Sequence, residues 1–402
     1  MQEYYEQFFH QFKRDKYLRY LKYLQPALGK KYKFASTPIF ISTAQYDRLT
    51  AVTGRIVRLL QDELYQKSVY DITWFLPQYP MQKHDYFGCV DFHIQPDSER
   101  IIETNLFAPG FSSFMELIET HFFEIFGYFG EQVSPGFEKE LVKAVTKNFE
   151  KKQVAIVDID AYNQYNFDEF KYIKKLLANY DVESCVAPAE NVGISETGNL
   201  LFEGKEFNRI YNRLITYDWE QHADNVKNYS ELFKNNPDMF FTNPFGWKLG
   251  DKRILPVLSN LNKQPFGLTK KDVEILSKTV LKTKLLNEFS NLEECVEEFG
   301  LPRRVILKPL DNYAGRGILF KPSNKKLKEI IEKEKEKFII QEIFPAGKIP
   351  YIMPDGNITE AKFDVRIVFM NAEVVGAYGR SYQGSITNFS GDVGGIAPVV
   401  VV

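Results

Sequence analysis

The chain has 402 residues, of which 44% are hydrophobic and 15% aromatic, so it can bury more than one core. Its 51 Lys and Arg against 53 Asp and Glu give a net charge of -2, which offers no argument for nucleic acid or an anionic membrane as partner. The absence of a long apolar run or a signal-like N-terminus predicts a cytoplasmic protein. Three widely separated cysteines predict reduced thiols without structural zinc.

The first part of the chain favours helices. Aromatic residues recur at helical spacing over residues 3–25, and the same test predicts a second long helix over residues 44–66. Two apolar segments, GCVDFHIQ and RIIETNLF, follow and are separated by the polar residues 96–99, which predicts a hairpin. A helix is then expected from Ser113 to about Phe129.

From Lys151 the pattern becomes that of strands and helices in alternation. The nearly continuous apolar segment QVAIVDID predicts a buried strand, followed by a helix over residues 168–179 and the strand DVESCVA. This order predicts a parallel, doubly wound unit. No G-x-G-x-x-G follows the first strand, so a dinucleotide site is not expected there.

The last part mixes both kinds of element. Helices are predicted over residues 251–262, 271–297 and 324–336. The strand KFIIQEIF comes next, and the strands FDVRIVFM and EVVGAYGR end the pattern with a turn at Asn371-Ala372.

One segment, RVILKPLDNYAGRGILF, combines a buried strand with a flexible turn. The strand ends at Lys308, and Asp311, Asn312, Gly315 and Gly317 follow. Glycines let backbone amides approach phosphate oxygens, the lysine supplies a positive charge, and an acid can reach magnesium. The segment is not a Walker A loop, and an ordinary strand–turn–strand remains the alternative.

The strand KFIIQEIF breaks its apolar run at two polar residues. Gln341 and Glu342 could face an adenine edge and a ribose hydroxyl. The alternative is an ordinary core strand whose Gln and Glu face solvent.

The predicted hairpin carries a third polar group. Glu103 and Asn105 share one face of their strand because side chains alternate with a period of two, and Asp91 can face them from the other strand. Two carboxylates and an amide oxygen suit magnesium. A solvated strand face is the alternative, although the apolar residues on both sides argue against simple exposure.

Together these segments resemble the ATP-grasp ligases. In most of that superfamily the E-x-N strand follows the lysine, whereas here it precedes Lys308 by about two hundred residues. This order resembles the circularly permuted branch, which includes eukaryotic glutathione synthetases and the synthetase half of glutathionylspermidine synthetase. The resemblance covers roughly residues 85–402. The segments YNRL, DKRILPVLSN and KPLDNYAGRG are also similar to uncharacterised bacterial permuted ATP-grasp proteins.

The resemblance implies an α/β (α+β) class, with a permuted ATP-grasp fold, a doubly wound pre-ATP-grasp unit and N-terminal helices. It implies four regions. These are an N-terminal helical region (1–80), a metal-strand part of the ATP-grasp domain (81–150), a Rossmann-like pre-ATP-grasp or substrate unit (151–245), and an ATP-binding domain with a glycine-rich lid (246–402).

The resemblance also implies site residues. Phosphates would meet Lys252 and Lys308 beneath a lid that contains Gly315 and Gly317, and adenosine would meet Gln341 and Glu342. Magnesium would be held by Asp91, Glu103 and Asn105, joined by Asp311 or Asn312, with the choice between the last two open.

One position departs from the family pattern. Glutathionylspermidine synthetase has an arginine two residues before the aspartate, thought to steady the transferred phosphoryl group, and this chain has Cys89 there. Arg380 matches a C-terminal arginine near the phosphates or substrate. The catalytic cation would therefore be Arg380, Arg366 or Arg213.

The implied reaction uses ATP and Mg²⁺ to join a small-molecule or peptide carboxylate to an amine through an acyl phosphate. Two alternatives stay open, an ATP-grasp kinase and a nucleotide-binding protein that has lost turnover. The acid and the amine are not identified. The N-terminal aromatic helices could form a homodimer face or cover the substrate cleft.

Overall fold

The computed structural model describes the chain except residues 29–30, 73–84, 148–151, 245, 247–251, 264, 311–314 and 388–390. The described helices are α1 (Gln2–Gln11), α2 (Arg14–Leu28), α3 (Thr43–Leu60), α4 (Glu63–Ile72), α5 (Met115–Phe126), α6 (Phe137–Val145), α7 (Phe167–Ala178), α8 (Thr216–Gln221), α9 (Lys227–Asn235), α10 (Ile254–Ser259), α11 (Lys270–Thr279), α12 (Leu292–Phe299) and α13 (Asn324–Lys333).

In the described part of the chain, strands connect these helices and form four sheets. They are β1 (Ile39–Ile41), β2 (Phe87–Gln95), β3 (Ser98–Asn105), β4 (Gln153–Asp158), β5 (Glu183–Pro188), β6 (Gly193–Ile194), β7 (Leu200–Phe202), β8 (Lys205–Phe207), β9 (Arg209–Asn212), β10 (Phe240–Phe241), β11 (Thr283–Leu285), β12 (Val305–Pro309), β13 (Leu319–Phe320), β14 (Phe338–Glu342), β15 (Gly347–Ile352), β16 (Ile358–Met370), β17 (Glu373–Tyr382) and β18 (Gly394–Val401).

The prediction of a single helix over residues 3–25 is wrong, because α1 and α2 are separate helices. Phe12 between them has extended dihedral angles, φ -64° and ψ 130°. Its ring stacks on Phe126 of α5 with 6.1 Å between centroids, and Phe8 contacts the same ring at 5.5 Å. Burial of these aromatic rings against α5 is favourable in this bent arrangement, so tertiary packing decides the break.

The helix predicted over residues 44–66 is also two helices. Ser42 begins α3 with a capping box to Gln45. The chain leaves the helix after Leu60, and the Asp62 carboxylate then accepts a 2.8 Å hydrogen bond from the Tyr65 amide. A side chain that satisfies a first-turn amide starts a new helix, α4.

A strand interrupts the helix predicted over residues 271–297. Val280 takes extended dihedral angles and ends α11, and β11 then pairs with β14. Asn291 caps the next helix, α12, by accepting from the Glu294 amide. Pairing with a distant strand overrides local helix propensity here.

The central sheet joins both ends of the chain. Its strand order is β1-β18-β17-β16-β2-β3, and β15 pairs with β16 beside this path. The predicted hairpin of β2 and β3 is confirmed as an antiparallel pair, and so is the β16–β17 pair with its turn at Asn371-Ala372. β1 pairs in parallel with β18, so residues from the first 80 complete a sheet made mainly of later strands.

The predicted doubly wound unit is confirmed. The strands β10-β9-β4-β5 form a parallel sheet, with α7 as the crossover between β4 and β5. Its buried cluster surrounds Trp219. Another buried core lies around Leu307, between the sheet β11-β14-β12-β13 and the helices α12 and α13. Within the described residues, no helix is both long and apolar enough to cross a membrane.

A glycine of β2 tests how closely the central sheet packs. A Cβ on Gly88 would lie 2.8 Å from Phe369 Cζ and 2.9 Å from both Asn105 O and Leu106 Cα. Two of these atoms are backbone and cannot rotate away. We expect Gly88→Ala to lower the free energy of unfolding by about 1–3 kcal/mol, measured by urea denaturation.

Gly54→Ala is the matched control. Gly54 lies inside α3, and an added Cβ there meets no atom within 4 Å. This substitution should raise the unfolding free energy by about 0.5–1 kcal/mol, because alanine favours the helix. Equal effects of the two substitutions would contradict the packing argument.

Candidate functional site

A cleft of about 430 Å³ opens between the central sheet and the sheet of β11 to β14. Nine of the predicted site residues line it: Glu103, Asn105, Lys252, Lys308, Gly315, Gln341, Glu342, Arg366 and Arg380. These residues come from segments far apart in the chain, so folding gathers them at one place.

Lys308 connects the two sheets at the base of the cleft. Asp91 is paired with Glu103 and Phe92 with Ile101, so a bulge leaves Ile102 of β3 without a partner on β2. The Ile102 carbonyl accepts a 2.7 Å hydrogen bond from Lys308 Nζ. Burial lowers the pKa of the Lys308 ammonium, although nearby Glu103 raises it.

One polar face of the central sheet lies at the floor of the cleft, where Glu103 and Asn105 are lining residues but Asp91 and Cys89 are not. Asp91 lies opposite Glu103, and Cys89 lies opposite Asn105, so all four side chains share a face. On the other side of β2, Arg366 of β16 lies opposite Asp91. The alternative of a solvated strand face fails for Asp91, which is 0% exposed.

Four donors surround the Asp91 carboxylate. Its Oδ2 accepts from Arg366 at 2.9 Å, from Arg380 at 3.0 Å and from the Asn105 amide at 3.3 Å. Its Oδ1 accepts from the Cys89 thiol at 3.2 Å. Both oxygens of this carboxylate are therefore occupied by protein donors.

Each arginine has further support from the sheet. Arg366 Nη1 donates to the Tyr378 hydroxyl at 2.9 Å, and that hydroxyl donates to the Gly110 carbonyl at 2.6 Å. Arg380 Nε donates to Asp364 at 2.7 Å, and Thr387 donates to the other oxygen of the same carboxylate. The guanidinium groups are thus held in defined orientations.

The polar residues of β14 lie at the opposite wall. Gln341, 1% exposed, donates from Nε2 to Thr283 Oγ1 at 3.0 Å. Glu342 Oε1 accepts from the Lys282 amide at 3.0 Å. Gln341 is therefore not a solvent-facing residue.

Some predicted residues are not part of this cleft. Arg213 lies at the end of β9, where it donates to Glu169 at 3.0 Å, and it does not line the cleft. Gly317 belongs to the same turn as Gly315 but is not a lining residue. Asp311 and Asn312 lie outside the described residues.

Sequence reasoning missed Asp364, Tyr378 and Thr387. A signal existed for the first two, because Asp364 and Arg366 alternate on one strand as Tyr378 and Arg380 do on the next. Thr387 lies in a loop, and no periodicity could have placed it beside Asp364.

The side-chain oxygens of Glu103 and Asn105 suit magnesium only together with the phosphate oxygens of a bound nucleotide. Among the described residues, no group of three His, Cys, Asp or Glu is arranged to hold a metal ion. Glu103 and Asn105 do line the cleft, and Mg²⁺ in nucleotide sites commonly uses one or two carboxylates together with phosphate oxygens. The donors present therefore suit a phosphate-bound magnesium rather than a cage made of protein alone.

Comparison with known proteins agrees with this geometry. Residues 268–393 match the family model of the RimK-like ATP-grasp domain. A glutathione synthetase-like effector from Globodera pallida, in its apo form, is similar in structure, with a TM-score of 0.63 and 13% identity over 97% of each chain.

A putative gamma-glutamylcysteine synthetase from Methylobacillus flagellatus KT has a TM-score of 0.45 and 14% identity, over 89% of this chain and 87% of its own. No curated protein sequence matches the chain. The similarity to the effector is at the level of fold, and the domain match covers the lysine strand and the arginines. Residues 268–393 are therefore similar to a RimK-like ATP-grasp domain.

Proposed function

We propose that the protein is an ATP- and Mg²⁺-dependent ligase that joins a carboxylate to an amine through an acyl phosphate. The observation that carries the proposal is that Lys252, Lys308, Glu103 and the two arginines line one cleft. Cations for phosphates and oxygen ligands for a metal are what phosphoryl transfer requires at one place. The RimK-like domain match also supports an ATP-dependent C–N ligase.

The nucleotide would lie between the two sheets. Lys308 and Lys252 would contact its phosphates, with Gly315 and Gly317 in the turn above them. The apolar wall of the cleft includes Leu281 and Ile306, which suits the adenine face. Gln341 and Glu342 would be at the adenosine end.

Glu103 and Asn105 would hold magnesium, which supplies charge neutralisation at the phosphates when bound. Asn105 donates its amide hydrogen to Asp91, and this leaves its oxygen for a metal. Asp311 or Asn312 remains the proposed additional ligand.

The reaction proceeds in two steps. A carboxylate oxygen of the first substrate bonds to the γ-phosphorus as the bond to the β,γ-bridging oxygen breaks, and ADP leaves. The amine nitrogen then bonds to the acyl carbon, phosphate leaves, and the nitrogen releases a proton. The chain's own contribution is to orient the groups, stabilise the charge and keep water from the acyl phosphate.

Arg366 and Arg380 are the proposed catalytic cations. They come from β16 and β17, and they stand beside Cys89, where the resembling synthetases carry an arginine. Arg213 is paired with Glu169 away from the cleft and is the weaker candidate. The presence of two arginines here argues against lost turnover as a consequence of Cys89.

The permuted order and the four regions stay part of the proposal. Contact between Lys308 and Ile102 supports a metal strand that precedes the lysine strand in the chain. The separate cores around Trp219 and Leu307 support units near residues 151–245 and 246–402. Pairing of β1 with β18 suggests that the 1–80 region is joined to the central sheet.

A product assay tests the function. The protein is incubated with Mg²⁺ and ATP and with paired panels of acids (amino acids and peptides) and amines (amino acids and polyamines). We expect ADP and phosphate release that needs both substrates, with an amide detected by mass spectrometry. A phosphorylated product without an amide would instead identify a kinase, and bound ATP without ADP release would identify a protein without turnover.

Substitution of Lys308 tests the phosphate contact. Lys308→Met keeps the aliphatic stem and removes the charge. We expect ATP binding to weaken by about 2–3 kcal/mol, or roughly 30- to 150-fold in Kd, because a charge-assisted hydrogen bond is lost. Calorimetry measures the effect, with Lys333→Met on the exposed face of α13 as control. Unchanged affinity in a folded variant would refute the contact.

Glu103→Gln tests the metal ligand. This substitution keeps the size of the side chain and removes one negative charge from the cleft. ATP affinity should fall by less than about tenfold, turnover should fall by about 100-fold or more, and excess Mg²⁺ should partly restore turnover. The control is Glu360→Gln, at an exposed residue paired with Lys348. Normal turnover at low Mg²⁺ would exclude Glu103 as a ligand.

A further inference from the structure

We infer that Asp91 is not a magnesium ligand but a positioning residue, which holds Arg366 and Arg380 as an anion site for the carboxyl group that becomes phosphorylated. This inference rests on the proposed ligase function and deepens it. It revises the expectation that Asp91 joins Glu103 and Asn105 at the metal.

The first argument is the hydrogen bonding of Asp91. Its carboxylate is fully buried and accepts from both arginines, from Asn105 and from the Cys89 thiol. A metal ligand needs an oxygen lone pair directed at the ion. Here three donors converge on Oδ2, and the thiol takes Oδ1.

The second argument is the balance of buried charge. Two guanidinium groups meet two fully buried carboxylates, Asp91 and Asp364. Magnesium on Asp91 would bring two more positive charges to this group and would displace the arginines from their counter-ion. Removal of one partner from a buried ion pair is strongly destabilising, because it leaves an uncompensated buried charge.

The third argument is the spare donor capacity of the arginines. A guanidinium has five N–H groups, and Arg366 uses Nη1 on Tyr378 and Nη2 on Asp91. Its buried Nε has no hydrogen-bond partner in the described part of the chain. Arg366 lines the cleft, so its guanidinium has N–H groups left for an anion bound there.

The choice of residue at position 89 fits this arrangement. The small Cys89 side chain lies opposite Val368 of β16, two positions from the pair of Asp91 and Arg366. A thiol takes less space than a guanidinium, so the arginine of the neighbouring strand can reach Asp91. In the synthetases that this chain resembles, the positive charge lies on the same strand as the aspartate. In this chain it comes from Arg366 of β16 and Arg380 of β17.

An anion site of this kind has a defined task in the reaction. Two oriented guanidinium groups hold a carboxylate by charge-assisted hydrogen bonds, and they stabilise the charge that spreads over the phosphoryl oxygens during transfer. Asp91 would act only through them, because it fixes the orientation of both groups.

The test measures metal binding and anion binding separately. Mn²⁺ replaces Mg²⁺, and its binding together with ADP is followed by electron paramagnetic resonance. Inorganic phosphate is the anion probe, and its binding to the protein with Mg²⁺ and ADP is measured by calorimetry. For Asp91→Asn we expect Mn²⁺ affinity within about twofold of the wild type and phosphate affinity at least about tenfold weaker.

Two comparison variants accompany this measurement. Asp97→Asn, in the exposed turn between β2 and β3, should change neither affinity. Glu103→Gln should weaken Mn²⁺ binding. A loss of Mn²⁺ affinity in Asp91→Asn, or its unchanged phosphate affinity, would overturn the inference.

A second variant covers the case in which Asp91→Asn does not fold. Arg380→Lys keeps the charge and leaves Asp91 in place, but it loses the planar fork. It should weaken phosphate binding about tenfold without changing Mn²⁺ affinity, and equal phosphate affinity would overturn the anion site. A wild type that binds no ADP with Mn²⁺ would instead contradict the proposed function itself.

Discussion

The hydrogen bond between Lys308 Nζ and the Ile102 carbonyl links the two sheets that enclose the cleft. It depends on the bulge in β3, because the bulge leaves Ile102 unpaired on β2. Lys308 is 7% exposed and lies near Glu103. Water therefore screens the attraction between these two charges poorly. The position of the metal strand relative to the phosphate lysine follows from this contact.

Buried ion pairs hold the two arginines at the floor of the cleft. Asp91 and Asp364 each accept from arginine donors, Tyr378 accepts from Arg366, and Thr387 donates to Asp364. A network of this kind is stable only when its members are matched. The same matching leaves little freedom for the arginines, which suits groups that must face a reacting phosphoryl group.

Much of the local structure was predictable. The β2–β3 hairpin, the β16–β17 pair and the parallel unit follow from periodicity and turn residues that lie within a few positions of each other. The long helices were predicted less well. Phe12 and Val280 interrupt them because aromatic packing on α5 and pairing of β11 with β14 are tertiary interactions.

By itself the sequence determined that Glu103 and Asn105 share a face, because alternation along a strand is local. The register of the hairpin, which places Asp91 opposite Glu103, belongs to the tertiary structure. The sequence also determined that Lys308 ends a buried strand. Only the tertiary structure decided the partners of Asp91. Arg366 and Arg380 lie 275 and 289 residues away in the chain, and the pairing of β2 with β16 brings them together. Such pairing depends on the whole sheet, since no residue near Asp91 encodes it.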